Sequence, residues 1–362
     1  MDDTVLLATT RENIINKITL LKQYCDTYGM KINAGKTKFF VICGTVEDQR
    51  AIEVNGLVVE PCTKYTYLGS IFTADGSVSS SVAAHVQSKM VHFNKFVSFL
   101  NKNNDIPFNV KKRIFDAALM SAILYGCESW LNADLRPVAK LYNWGLKLLL
   151  GVRRTTSNDI CYTELGYPPL QDLVKSRQRK FFSKIWQERS LMDDDPLVLV
   201  INTVLQARYN TRNYINGMIH ESIDDIRMAK EKLQYNIINS DSSRKVTYHE
   251  MNPDLTVHEI YTAKHNVPEL ERISFTRFRV ASHSLAVEVG RWNRRGRGRL
   301  PLEERLCVCG AIQTEAHVVQ QCPRTQNIRD SYDISNFEDI FSEQRSLASQ
   351  CKTVHLILSS FL

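Results

Sequence analysis

Residues 52–60 read Ile-Glu-Val-Asn-Gly-Leu-Val-Val-Glu, two short apolar runs joined by Asn55-Gly56. A type I′ turn needs φ > 0 at both central residues, which Asn and Gly tolerate, so the dipeptide predicts a hairpin and gives the chain a β element. Outward from it, Lys38–Cys43 and Tyr65–Phe72 read as further strands, and Thr4–Ala8 as an opening strand with no upstream partner. Ile15, Ile18, Leu21 and Tyr24/Cys25 follow a helical period from Arg11 to Gly29, where the glycine suits a left-handed stop. Residues 1–76 are therefore an α+β piece, and its lone opening strand suggests that something is missing before Met1.

Beyond residue 77 the period becomes helical. Val82, Val86, Met90, Phe93, Val97 and Leu100 mark an amphipathic helix behind the capping material Ser77–Ser81. Further helices are expected over Val110–Leu124, Leu135–Leu150 (closed by Gly151) and Leu170–Arg189, so residues 77–192 form a helical domain. Residues 193–270 are a polar connector, partly helical at Ile219–Leu233 and otherwise expected to be loosely ordered. Residues 271–325 carry a basic segment and a cysteine cluster, and 326–362 form a tail. The fold class is α+β, mostly α.

Composition sets the outer bounds. A chain of 362 residues with 43% apolar content is too long for one average domain and too apolar to be disordered throughout. Its 46 Lys and Arg against 39 Asp and Glu leave +7, a charge that permits a polyanionic partner. No apolar run approaches the roughly 20 residues that cross a bilayer, and Met1–Thr10 lacks the order of a signal peptide, so an intracellular protein with no membrane partner is expected. Nine scattered cysteines argue against a disulfide scaffold.

The exception to that scatter is Cys307, Cys309, His317 and Cys322, four ligand-type side chains within sixteen residues, with Gly310 free to turn the chain after the second thiol. Three thiolates and one imidazole suit tetrahedral zinc, and a closed set of four leaves no open position, so the role is structural. Binding would supply roughly 10–16 kcal/mol to a segment too small to fold on apolar burial alone. On an ideal helix His317 and Cys322 would lie about 140° apart, so the helix must end between them. The bland alternative is that these cysteines are small buried hydrophobes.

Just upstream, arginines interleave with Phe275, Phe278 and Trp292. Guanidinium forks grip phosphate and stack on bases, which predicts a nucleic-acid surface on Arg277, Arg279, Arg291, Trp292, Arg294, Arg295, Arg297 and Arg299. The alternative is a solvated charged face. At the other end Asp2-Asp3 precedes the apolar run Val5–Ala8. Adjacent carboxylates repel unless a hard cation such as Mg²⁺ joins them, and two-metal phosphoryl transfer needs a further carboxylate from another strand.

Met1-Asp2-Asp3-Thr-Val-Leu-Leu-Ala8, then Tyr28-Gly29-Met30-Lys31-Ile32-Asn33, Lys36-Thr37-Lys38 and Tyr67-Leu68-Gly69-Ser70 together resemble the second half of a reverse transcriptase palm from a non-LTR (LINE-type) retrotransposon. Ile123-Leu-Tyr-Gly-Cys-Glu-Ser-Trp130 resembles the thumb segment that follows, and the Cys307/Cys309/His317/Cys322 cluster resembles the family's CCHC knuckle. The resemblance implies a palm end over 1–76, a thumb over 77–192 and a zinc knuckle within 271–325. It implies RNA and DNA, as primer–template, for partners, and a nuclear location. It makes Asp2 the principal metal ligand and Asp3 a supporting one, with Met1 in the variable position. Lys36 or Lys38 would steady the triphosphate, and Tyr67, Leu68 and Gly69 match the hairpin that grips the primer end. Fingers and the earlier Asp-bearing strand have no counterpart here. The expectation is thus a truncated enzyme that binds nucleic acid but does not polymerise alone, with Mg²⁺ relevant only beside the missing palm half. The rival reading is a zinc-stabilised protein-interaction module with no nucleic-acid role.

Overall fold

A computed structural model describes residues 4–188, 209–220, 223–262, 267–292, 298–342 and 344–362. The chain divides into two compact units, one of residues 1–89 and 123–138 and one of residues 90–122 and 139–362. The fold is α+β and mostly helical.

In the first unit α1 spans Arg11–Thr27, opened by the Thr10 hydroxyl, which accepts from the Asn13 N–H at 3.2 Å. It stops before Gly29, whose φ is +64°. Three strands, β1 (Lys38–Phe39), β2 (Ile52–Val54) and β3 (Leu57–Pro61), form a sheet in the order β1-β3-β2. The β2–β3 hairpin turns on Asn55 and Gly56 at φ +48° and +75°, the predicted I′ geometry. Alternation sends Ile52, Val54, Leu57 and Val59 to one side, where they pack with Ile18 of α1 and Phe39 of β1. Cys25 of α1 is buried, whereas Tyr24, its alternative in the helical period, is exposed.

Two strand expectations are corrected here. Residues 4–8 run as irregular chain, contributing Leu6 to the core cluster without pairing to any strand among the described residues. The stretch Tyr65–Phe72 is not one strand but a hairpin, β4 (Lys64–Tyr67) and β5 (Ser70–Thr73), turning at Leu68 and Gly69 with φ +46° and +81°. Leucine is an uncommon occupant of that conformation, so the turn is invisible to a residue-by-residue reading.

Helix α2 (Val78–Lys102) contributes residues to both units. In the second unit α3 starts as Phe108–Ile114 and widens into a π-helical turn over Phe115–Met120. Phe115 is fully buried there, 5.6 Å from Phe96 ring to ring. Next come α4 (Arg136–Leu150), closed by Gly151 at φ +75°, then α5 (Asn158–Leu165) and α6 (Leu170–Glu188).

The expected loose connector is instead largely helical where it is described, with α7 (Tyr209–His220), α8 (Asp225–Ile238) and α9 (Ser243–Met251). Its apolar residues are few but correctly spaced. Ala229, Leu233 and Ile237 form one buried stripe, and Ile237 and Tyr248 join Ile160, Leu255 and Val280 in a core cluster. Helix α10 (Glu269–Arg279) follows, and α11 (Gln326–Tyr332), α12 (Phe337–Phe341) and α13 (Leu347–Ser359) complete the unit.

At the centre of this unit lies Glu164, at the end of α5, with no exposed surface. Its carboxylate accepts from Arg279 Nε at 2.7 Å, from Tyr248 Oη at 2.8 Å and from Tyr261 Oη at 2.9 Å. Burial by itself would raise the Glu164 carboxyl, but the Arg279 charge and these hydrogen bonds outweigh it and hold the group below its ordinary value. A second, largely buried cluster lies at the start of α10, where Glu269 accepts from Arg272 Nε at 2.8 Å and pairs with Lys111 Nζ at 2.9 Å.

Removing one partner of such a pair leaves a buried uncompensated charge. Glu164→Gln should therefore cost about 3–5 kcal/mol in denaturant unfolding, and adding Arg279→Met should recover part of that loss. Because the folded carboxyl is held low, its contribution is present above the ordinary Glu value of 4.5 and lost as pH falls below it. Wild-type stability should drop steeply through that range, and that of the double variant less so.

Candidate metal centre

Cys307 and Cys309 sit on a tight hairpin. Leu306 bridges Ile312, the Cys307 N–H donates to Ala311 O at 2.7 Å, and the Gly310 N–H donates to Cys307 O at 2.9 Å. Gly310 takes φ +89°, the left-handed conformation that lets the chain reverse between the thiols and the helix. That helix is distorted where it matters, with His317–Gln321 forming a π turn and Cys322 already extended at φ −65°, ψ 125°. The Cys322 N–H donates back to His317 O at 2.9 Å. A wider turn brings the residue five positions on nearly back into line, so His317 and Cys322 converge where an ideal helix would have separated them.

The four ligand atoms lie within 4.8 Å of one another. Cys309 Sγ is 3.2 Å from His317 Nε2, and Cys307 Sγ is 3.7 Å from Cys322 Sγ. The backbone N–H of Ala311 draws the exposed Cys309 thiol below its usual value, whereas burial pushes Cys322 up to about 11. Burial, then the charge of Arg329, keeps His317 below its ordinary value and hence neutral, the ligating form. Three crowded sulfurs cannot all ionise without a cation, and this Cys3His set can hold a zinc ion.

Neighbouring side chains hold the ligands in place. Arg329 of α11 donates to Cys322 O at 2.7 Å and to Thr325 Oγ1 at 2.8 Å, clamping the last ligand. Gln313 accepts from the Ala286 N–H at 2.6 Å and places its amide 3.8 Å from Cys307 Sγ. His283 Nε2 lies 2.9 Å from Glu315, both buried, which ties the turn after α10 to the helix bearing His317. A buried His-to-Glu pair and an Arg seven residues after a cysteine are common enough that neither stands out in sequence.

The predicted nucleic-acid residues separate. Arg279 lies in the interior on Glu164, so its guanidinium is not available at the surface. Arg277 is exposed on the opposite face of α10 and donates to Gly151 O at 2.8 Å. Arg291 pairs with Glu288 at 2.7 Å, and Arg299 donates to Arg291 O at 3.3 Å. Trp292 packs beneath Arg244, whose guanidinium lies 5.4 Å from the ring centroid. Arg294, Arg295 and Arg297 lie outside the described residues, as do Asp2 and Asp3.

In the first unit Lys36 and Lys38 are both exposed, on a turn and on β1. Tyr67, Leu68 and Gly69 form the tip of the β4–β5 hairpin, and that tip is docked. The Tyr125 hydroxyl donates to Leu68 O at 2.8 Å, and a Cβ on Gly69 would meet the Tyr125 ring at 2.9 Å.

Over 164 residues the chain is 25% identical to a putative uncharacterized transposon-derived protein of Caenorhabditis elegans, a match covering 44% of this chain and 57% of that relative. The chain thus spans little more than half the length of the curated relative it matches. No protein-family model matches the chain, and no solved structure matches it. The similarity supports a transposon-related origin. No helix among the described residues is long and apolar enough to cross a membrane.

Elemental analysis of the purified chain should give about one zinc per molecule, lost in Cys309→Ala and His317→Ala. Zinc affinity should fall as pH drops, because every thiol must be deprotonated and burial raises the Cys322 thiol to about 11. In the first unit, Gly69→Ala should destabilise by more than about 1 kcal/mol, since it combines a positive φ with a steric clash against Tyr125. Thermal denaturation of that variant measures the loss.

Proposed function

We propose that the chain is the C-terminal portion of a non-LTR retrotransposon reverse transcriptase, comprising the end of a palm, a thumb-like helical region and a zinc knuckle, and that it holds RNA and DNA. One observation carries this reading. Tyr67-Leu68-Gly69-Ser70 and Ile123–Trp130, two of the stretches that resemble that family, meet in the structure, with Tyr125 Oη bonded to Leu68 O at 2.8 Å. A hairpin tip gripped in this way is a rigid ledge, the requirement for a group that must hold a strand end in place. The transposon-derived relative and the Cys3His cluster support the same reading.

In this reading Asp2 and Asp3 are metal ligands of the complete enzyme, with Lys36 or Lys38 near the triphosphate. Catalysis needs a further carboxylate to hold two Mg²⁺ ions, so the chain alone binds primer–template without extending it.

Binding to an RNA–DNA primer–template, followed by fluorescence anisotropy, should be measurable at about 50 mM salt and weaken steeply toward 200 mM as phosphate contacts release counterions. No binding at the lower salt, with zinc bound and the chain folded, would leave the protein-interaction module as the surviving alternative.

A further inference from the structure

The second unit carries an unassigned basic cleft, an open concavity lined by Arg153, Arg154, Thr155, Val289 and Trp292. Arg153 and Arg154 belong to the loop after α4, which is pinned in place when the Arg153 N–H donates to Ser282 Oγ at 2.9 Å and Lys147 Nζ donates to Arg154 O at 2.8 Å. The Arg154 guanidinium lies 3.9 Å from the Trp144 ring centroid, a stacking contact that orients it without neutralising it.

The other cations nearby have structural explanations. Arg277 and Arg272 donate to Gly151 O at 2.8 Å and Leu150 O at 3.5 Å, satisfying carbonyls at the C-terminus of α4. Arg244 and Arg291 share the carboxylate of Glu288. Asp159 is engaged by Lys245 at 2.7 Å. Arg153 and Arg154 have no such account, since neither forms an ion pair with a carboxylate among the described residues. Two unneutralised forks beside an indole and a valine combine phosphate recognition with an apolar wall for a base.

We propose that this cleft binds a single strand of nucleic acid, its phosphates on Arg153 and Arg154 and an unpaired base against Trp292. The assignment rests on the nucleic-acid role proposed above and locates it, adding Arg153 and Arg154 to Trp292 and removing Arg279. An open cleft suits a continuing strand, whereas a mononucleotide would call for an enclosed pocket.

The test uses the zinc-loaded full chain and a fluorescein-labelled 12-nucleotide oligouridylate, titrated across a salt series. In R153Q/R154Q the slope of log K against log salt should become shallower by about 1.4, two single-strand phosphate contacts, with affinity at low salt down roughly tenfold. Trp292→Ala should weaken binding about 5- to 150-fold and Trp292→Phe much less, as expected for lost stacking on one base. Because Arg154 packs on Trp144, R153Q alone, with its melting temperature checked, carries the slope measurement should the double variant unfold; it should show about half the change. Unaltered slope and affinity in these variants, while wild type binds, would overturn the cleft and leave the wider reading standing. Absence of wild-type oligouridylate binding would overturn the cleft, and absence of primer–template binding as well would overturn both. Polyglutamate of equal charge displacing the oligonucleotide as well as unlabelled oligouridylate does would overturn the cleft as a site for bases.

Discussion

The second unit is organised around a charge that cannot reach water. Glu164 is fully enclosed, and an isolated carboxylate there would cost several kcal/mol, so its neighbours must converge on it with good geometry. They arrive from α9 (Tyr248), the 3₁₀ turn at Glu259–Tyr261 and α10 (Arg279). Tyr261 also bonds Thr276 at 2.9 Å, and Arg272 donates to Thr276 at 3.3 Å, so the network extends one turn along α10. An apolar replacement of similar volume would hold the elements together about as well. What the fork adds is direction, because two hydrogen bonds from Arg279 to Glu164 fix the angle at which the two side chains meet.

That constraint redistributes the basic segment. Arg272, Phe275, Thr276 and Arg279 stand at i, i+3, i+4 and i+7, the inner face of an amphipathic helix, and all four are buried. Arg277 falls on the opposite face and reaches the surface. Composition counts all three arginines as one patch, while helical phase divides them into two structural residues and one exposed one. A sequence reading could have drawn that line from phase alone. It could not have located Glu164, which is 115 residues upstream of its partner.

The legible parts of this fold share a property, in that their geometry is set by the residue itself. Asn55-Gly56, Gly29 and Gly151 each announce a positive φ, and the turn or stop follows. The Cys307, Cys309, His317 and Cys322 set is legible for a similar reason, since ligand type and spacing suffice to define it. The illegible parts depend on context. Leu68 takes a left-handed conformation because a two-residue hairpin between Tyr67 and Ser70 demands it, and Tyr125 then holds the tip. The π turn at His317–Gln321 is legible only as a requirement that the helix cannot stay ideal. Residues 209–251 read as loose because their solvent-facing sides are rich in Asn, Ser and charge, yet one apolar residue per turn suffices when the facing helix supplies the rest.

Local charge therefore follows from tertiary placement more than from the net +7. Arg279 is matched by Glu164, Arg272 by Glu269, and Arg291 and Arg244 by Glu288, so much of the basic segment is internally balanced. Arg179 of α6 is likewise matched by Asp225 at 2.8 Å. Two arginines of this unit are held without a carboxylate, Arg277 on the helix-end carbonyl of Gly151 and Arg154 over the Trp144 ring. A guanidinium held by a carbonyl or a ring is oriented yet keeps its full charge, whereas one held by a carboxylate is oriented at the expense of its field. In this protein the arginines that build the fold and the arginines that can attract a polyanion are separated by what they touch.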